Sequence, residues 1–247
     1  MSGPQISLAI SVFLACSVEA VEAFTIVLAV GSSRGWRSAL LGVGVAALAL
    51  ALLTAALGPA LTQLPIGVLR VIVGGLLLVF GLQWLRKAIL RAGGLKALHD
   101  EEAIFAAERA AAGTAPAGQG IDSYAFAISL KAVLLEGLEV AFIVLTFGAN
   151  QGDVGLAAIA AGAAVVAVIG AGLAARAPLS RVPENSMKFV VGVLLTTYGL
   201  FWGAEGAGAS WPGGEAALPV LALLVLAAAL LMVRDLRRGP VLAGEAA

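Results

Sequence analysis

Seven stretches of about twenty or more largely apolar residues follow one another through this 247-residue chain, at roughly 7–31, 39–62, 66–86, 123–149, 154–175, 186–204 and 216–233. A helix rises about 1.5 Å per residue, so each stretch is long enough to cross a hydrocarbon layer of about 30 Å. Composition points the same way, with 61% hydrophobic and only 12% charged residues, against about 25% charged in soluble domains. The formal net charge is zero and no basic block interleaves with aromatics, so no nucleic-acid partner is expected. Cys16 is the single cysteine and reads as a small hydrophobe within a helix. The opening "MSGPQ" carries no Lys or Arg, which reads as the lead-in to a permanent first span rather than a cleaved signal peptide.

Short turns bearing Gly, Pro, Ser or Asn join most of the stretches, among them "GSSRG", "TQLPIG", "GANQGD" and "LSRVPENS". The connection over 87–122 is longer. Its "LHDEEAIFAAERAAAG" predicts a short amphipathic helix with Asp100 as N-cap, followed by a flexible "TAPAGQG". His99, the only histidine, is read there as a solvated loop residue. Lys and Arg fall in alternate loops: Arg34 and Arg37, then Arg86, Lys87, Arg91 and Lys96, then Arg176 and Arg181, then Arg234, Arg237 and Arg238. The loops after the second, fourth and sixth spans hold none, so the basic side is expected to be cytoplasmic, with the N-terminus outside and the C-terminus inside a cell membrane.

An internal repeat organises the spans. Residues 19–35 match residues 136–152 at seven positions with an offset of 117, and residues 70–84 match residues 188–202 at seven with an offset of 118. Chance would give about two identities per window, so the pattern argues for duplication. Three helices per unit is an odd number, so the second copy enters the bilayer inverted. The expected architecture is an all-α polytopic membrane protein of seven transmembrane helices, an inverted three-plus-three repeat plus one extra helix. Its expected parts are a first repeat over 1–91, a cytoplasmic loop over 92–121, a second, inverted repeat over 122–205, and a seventh helix with its tail over 206–247.

Both first helices of the repeats carry paired acids at their midpoints: Glu19 and Glu22 in "SVEAVEAFTIV", Glu136 and Glu139 in "LLEGLEVAFIV". An acid at the centre of a bilayer costs about 2.5–3.5 kcal/mol on insertion scales, so such residues mark ion or proton pathways by default. The i, i+3 spacing puts each pair on one helix face, and a pseudo-two-fold axis would turn those faces together into a cage of four carboxylates. Lys131 lies five residues before Glu136, about 7.5 Å lower and about 140° round the helix, and is expected to snorkel to the interface. Arg70 and Lys188 are repeat mates expected to anchor their helices at opposite membrane faces. The empty cage should hold shared protons that a cation displaces. All-oxygen ligands suit hard ions such as Ca, Mg, Mn or ferric iron, and the absence of His and Cys argues against copper and zinc. Thr25 and Thr146 lie close enough along their helices to add oxygens, although hydroxyls bonded to their own backbone are the plainer reading. Thr196, Thr197 and Tyr198 interrupt the sixth span at mid-depth. Glycines in "GVGVAA", "VGG" and "GAGLAA" predict close helix packing, and Gly137 between the second pair of acids predicts an approaching backbone. Without a metal, the acids would act only as protonated hydrogen-bonding groups between helices.

These motifs resemble the oxidase-dependent iron permease family: "LLEGLEVAFIV" is similar to its "REGLEAxLIV" element, and "SVEAVEAFTIV" to the partner element. Val18 and Leu135 stand where the family's motifs open with arginine. The resemblance implies seven spans, an outside N-terminus, and Glu19, Glu22, Glu136 and Glu139 as iron-binding acids. The function expected is therefore a non-enzymatic permease for iron or another hard metal cation, coupled to protons, with no resident cofactor and the lipid bilayer as its surroundings. Manganese and calcium exchangers are an alternative, although "EAVEAF" and "EGLEVA" lack their Asp-Lys-Thr continuation. An intramembrane lipid-diphosphate phosphatase is a weaker one, because no Ser/Arg segment at membrane depth could hold a pyrophosphate.

Overall fold

A computed structural model describes residues 3–115, 120–175 and 184–238. The basic residues Arg176 and Arg181, most of the "TAPAGQG" linker and most of the "LSRVPENS" turn lie outside the described residues. Eight helices follow in order: α1 Gly3–Arg34, α2 Trp36–Thr62, α3 Ile66–Ala92, α4 Glu101–Thr114, α5 Ser123–Asn150, α6 Val154–Ala175, α7 Glu184–Gly206 and α8 Ala217–Arg238, the last preceded by a 3-10 turn over Gly214–Ala216. There is no strand among the described residues. Six helices are long and apolar enough to cross a membrane, namely α1, α2, α3, α6, α7 and α8, so this is a multi-pass membrane protein. Helix α5 is 28 residues long and is not among those six; it carries Lys131, Glu136 and Glu139.

The helices gather into two compact units. The first comprises Met1–Leu69 and Asp100–Glu184, and the second Arg70–His99 and Asn185–Ala247. Each therefore draws helices from both halves of the sequence. In the first unit α5 packs against α2, α1 against α6, and α1 against α5, with α4 laid along α1. Small residues set these distances. A Cβ at Gly42 would land on the backbone of Phe126 in α5, and a Cβ at Gly172 on the ring of Phe24 in α1. Two turns repeat as well: Gly35 ends α1 at φ 108° and Gly152 follows α5 at φ 67°, both in the left-handed region that favours glycine. They are mates at the offset of 117.

In the second unit α3 and α7 lie backbone to backbone through glycines. A Cβ at Gly74 would meet Gly203, and at Gly81 it would meet Thr196; on α7, Gly192 faces Leu85 and Gly199 faces Leu78. Shifting either of the first two contacts by 118 residues yields one of the second two, so the seam exchanges its sides under the repeat. The pairs Val73 and Val191, Leu77 and Leu195, and Trp84 and Trp202 are all buried. Arg70 at the start of α3 pairs with Glu205 near the end of α7 at 3.0 Å, so the two helices run antiparallel and Arg70 anchors its end as expected. Helix α8 seals this unit through Ala229 and Val233 against Leu85, Ile89 and Val193. Its Arg237 donates to the carbonyl of Ala92, one of the C-terminal carbonyls of α3 that lack helical donors.

Candidate cation site

The first unit is pinned at one end by Arg34. Its guanidinium pairs with Asp122 at 2.7 Å, and the same group donates to the carbonyls of Ala112 and Ala115 at 2.8 and 2.9 Å. One cation thus ties the C-terminus of α1 to the C-terminal carbonyls of α4, where positive charge is favoured, and to the N-cap of α5. The Tyr124 ring lies 5.5 Å beneath it. Asp122 accepts from the Ala125 amide at 2.8 Å, while its own N–H donates to Ser38 at 2.9 Å. The hydrogen bond from Arg34 and then that from Ala125 hold the Asp122 carboxyl below its ordinary range.

This latch makes α1 and α5 antiparallel and fixes their register. Twelve to fifteen residues back along α1 from Arg34 stand Glu22 and Glu19, and fourteen residues forward along α5 from Asp122 stands Glu136. Their carboxylate oxygens lie within 4.8 Å of one another. Glu19 is buried at 2% exposure, and Glu22 and Glu136 are half-buried. Three of the four acids expected are therefore brought together. Glu139 is half-buried on the next turn of α5 and does not share that mutual spacing, which corrects the four-carboxylate cage to a three-carboxylate cluster. Successive i, i+3 residues are about 60° apart round a helix, so a neighbouring helix takes one of them more directly than the other. Three carboxylates at this distance are a set of hard oxygen donors that can hold a metal ion.

Glu19 and Glu136 also form part of the wall of a cavity of about 1200 Å³ between α1, α2, α5 and α6. Apart from these two acids, Thr54 is the only residue of that wall with a hydroxyl or charged group; the rest are mainly alanine, valine and leucine. The acids therefore have a low-dielectric flank, which strengthens their attraction for a cation. That flank offers a hydrated ion almost no polar partner.

The remaining sequence expectations divide. Thr146 donates to the carbonyls of Phe142 and Ile143 at 2.7 and 3.2 Å, and Thr197 to that of Val193 at 2.8 Å, as backbone-bonded hydroxyls. Thr25 departs from that expectation: it is wholly buried and its oxygen has no hydrogen-bond partner. Thr196 is buried against Gly81, again without a partner for its hydroxyl. Gly137 is approached by a side chain rather than a backbone, since Leu50 of α2 fills the place of its missing Cβ. Lys131 is exposed. His99 is half-buried rather than solvated, with its backbone exchanging hydrogen bonds with the Asn185 amide at 3.1 and 3.0 Å.

One acid escaped the sequence reading. Asp100 caps α4 as expected, accepting from the Glu102 and Ala103 amides, but α4 is packed along α1 and Glu101 is buried at 5% exposure. A carboxylate oxygen of Glu101 lies within 4.8 Å of one of Glu22. The available signal was "DEE", which reads equally as a cap and charges suited to a helix N-terminus. Compared with known families, curated proteins and solved structures, the chain matches none.

Proposed function

We propose that this chain is a membrane permease for a hard metal cation, iron among the foremost, and that Glu19, Glu22 and Glu136 bind the cation part-way across the bilayer. The observation that carries the reading is the mutual 4.8 Å spacing of three carboxylates on helices otherwise built of apolar residues. Retaining acids there is costly unless an ion or protons use them. The likeness of the two glutamate motifs to those of oxidase-dependent iron permeases supports the same conclusion. So does the seam between α3 and α7, whose contacts exchange under the repeat as an inverted pair requires. In this reading α5 is a seventh span, the two repeats enter the membrane in opposite senses, and the basic loops face the cytoplasm. Protons occupy the cluster when the metal leaves it, which couples the two flows.

Uptake by proteoliposomes tests the proposal, with ferric and ferrous iron, Mn²⁺ and Ca²⁺ each offered at two pH values. Glu19→Gln and Glu136→Gln are expected to cut uptake of the transported ion at least tenfold while the protein still elutes as a folded species. Undiminished uptake in both variants would remove the glutamates from the mechanism.

A further inference from the structure

Resting on that permease reading, we infer that α4 extends the ion path beyond the central cluster: Glu101, with Glu22 and the buried hydroxyls of Thr25 and Ser129, forms a second station on the side of the Arg34–Asp122 latch. The two observations are independent. Glu101 is a buried carboxylate within 4.8 Å of Glu22. Thr25 and Ser129 are both at 0% exposure, and neither hydroxyl oxygen has a hydrogen-bond partner. Burying a hydroxyl without a partner costs about 1–3 kcal/mol, so two along one seam call for a ligand.

Helix geometry aims both at the path. Thr25 is one turn past Glu22 on α1, about 4.5 Å along the axis and about 60° round it. Ser129 lies two turns before Glu136 on α5, on nearly the same face, about 20° away. Because α1 and α5 run antiparallel, both steps lead away from the cluster toward Arg34 and Asp122. Helix α4 runs beside this stretch in the direction of α1, with Glu101 level with Glu22 and Ala112 level with Arg34. The opposite flank of the cluster is the apolar cavity, which offers a departing ion no oxygen ligands beyond Thr54. A carboxylate and two hydroxyls supply the oxygen ligands that a hard cation needs once it sheds Glu19 and Glu136.

The station also gives the site a direction. Glu22 and Glu139 are repeat mates, yet α4 has no counterpart in the second repeat, so only Glu22 gains a further acid. The ion is handed from a near-symmetric cluster to a neighbour present on one side alone.

The test separates binding from passage. Mn²⁺ binding is measured by titration on the full-length protein in detergent, and Mn²⁺ flux in proteoliposomes. Glu101→Gln is expected to leave Mn²⁺ affinity within threefold of the parent, to leave the KM for flux nearly unchanged, and to lower the maximal rate at least tenfold. Glu101→Asp should restore at least a third of that rate, which a purely structural role for the side chain would not do. Thr25→Val together with Ser129→Ala should lower the rate severalfold with affinity again preserved. Flux within twofold of the parent in Glu101→Gln overturns the second station while leaving the central cluster standing. Failure of the parent protein to bind or carry Mn²⁺, ferric iron or Ca²⁺ overturns the permease reading and this inference with it.

Discussion

Gly137 sits between the two acids of α5, and Leu50 of α2 occupies the position of its absent Cβ. Adding a methyl group there must push a buried leucine out of its rotamer or move α2, a change that typically costs about 1–3 kcal/mol. Gly137→Ala should therefore lower the thermal midpoint of the purified protein, and Leu50→Ala in the same chain should recover part of the loss. If the single variant melts like the parent, Leu50 does not fill that space. The residues also show what a sequence can disclose. Glu19, Glu22 and Glu136 were legible because an ionisable group amid apolar spans has few bland explanations. Glu139 looked equivalent to its mate Glu22, but spacing alone does not say which side chain a neighbouring helix takes. Glu101 was hidden because an acid in the first turn of a helix is commonplace, and only packing distinguishes a buried one.

At the scale of elements, α4 is held by few groups, and Arg34 is chief among them. Removing the Asp122 charge leaves that guanidinium with only the two α4 carbonyls as printed partners, so Asp122→Asn should lower the melting midpoint of the helical circular-dichroism signal at pH 7. The pH dependence has a definite sign. The folded-state pKa of Asp122 is depressed, so the stability it contributes is fully present above the unfolded value of about 3.9 and is lost as pH falls through the lower folded value. The gap in midpoint between parent and Asp122→Asn should stay constant above about pH 5 and close below about pH 3.9; a constant gap at every pH would mean the ion pair is not its source. The seam between α3 and α7 makes a separate prediction. Gly81→Leu and its mate Gly199→Leu should both destabilise strongly, since each side chain would drive into the opposite backbone. Gly75→Ala and Gly44→Ala, with open space at the Cβ, should be near neutral. Unequal effects in the first pair, measured by thermal unfolding in detergent, would break the equivalence of its two sides. The helix boundaries were largely readable because apolar runs ending in Gly, Pro or Asn leave little choice. The grouping into units was not, since it depends on which small-residue faces meet rather than on order along the chain.

For the whole molecule, the question is how the helices thread the membrane. Six of them satisfy length and polarity on their own; α5 does so only if its three charged side chains are accommodated by the protein. Burial of Glu19 beside Glu136, and the exposure of Lys131 about 7.5 Å along the axis from that acid, provide such an accommodation. If α5 does cross, the chain has an odd number of spans and its ends lie on opposite sides. Since basic residues are retained on the cytoplasmic side, Gln151 after α5 and Ser210 after α7 must then be outside, and Lys96 after α3 inside. The only native cysteine, Cys16, is buried, so single cysteines introduced at these three positions report on an almost silent background. In intact cells a membrane-impermeant maleimide should label Gln151→Cys and Ser210→Cys, and should label Lys96→Cys only after permeabilisation. Labelling of Lys96→Cys from outside, with the other two protected, would reverse the orientation and put the α4 station on the entry side of the path. Labelling of Gln151→Cys and Lys96→Cys from the same side would instead mean that α5 does not cross. The inverted repeat would then fail, and the meeting of Glu136 with Glu19 and Glu22 would need an origin other than symmetry.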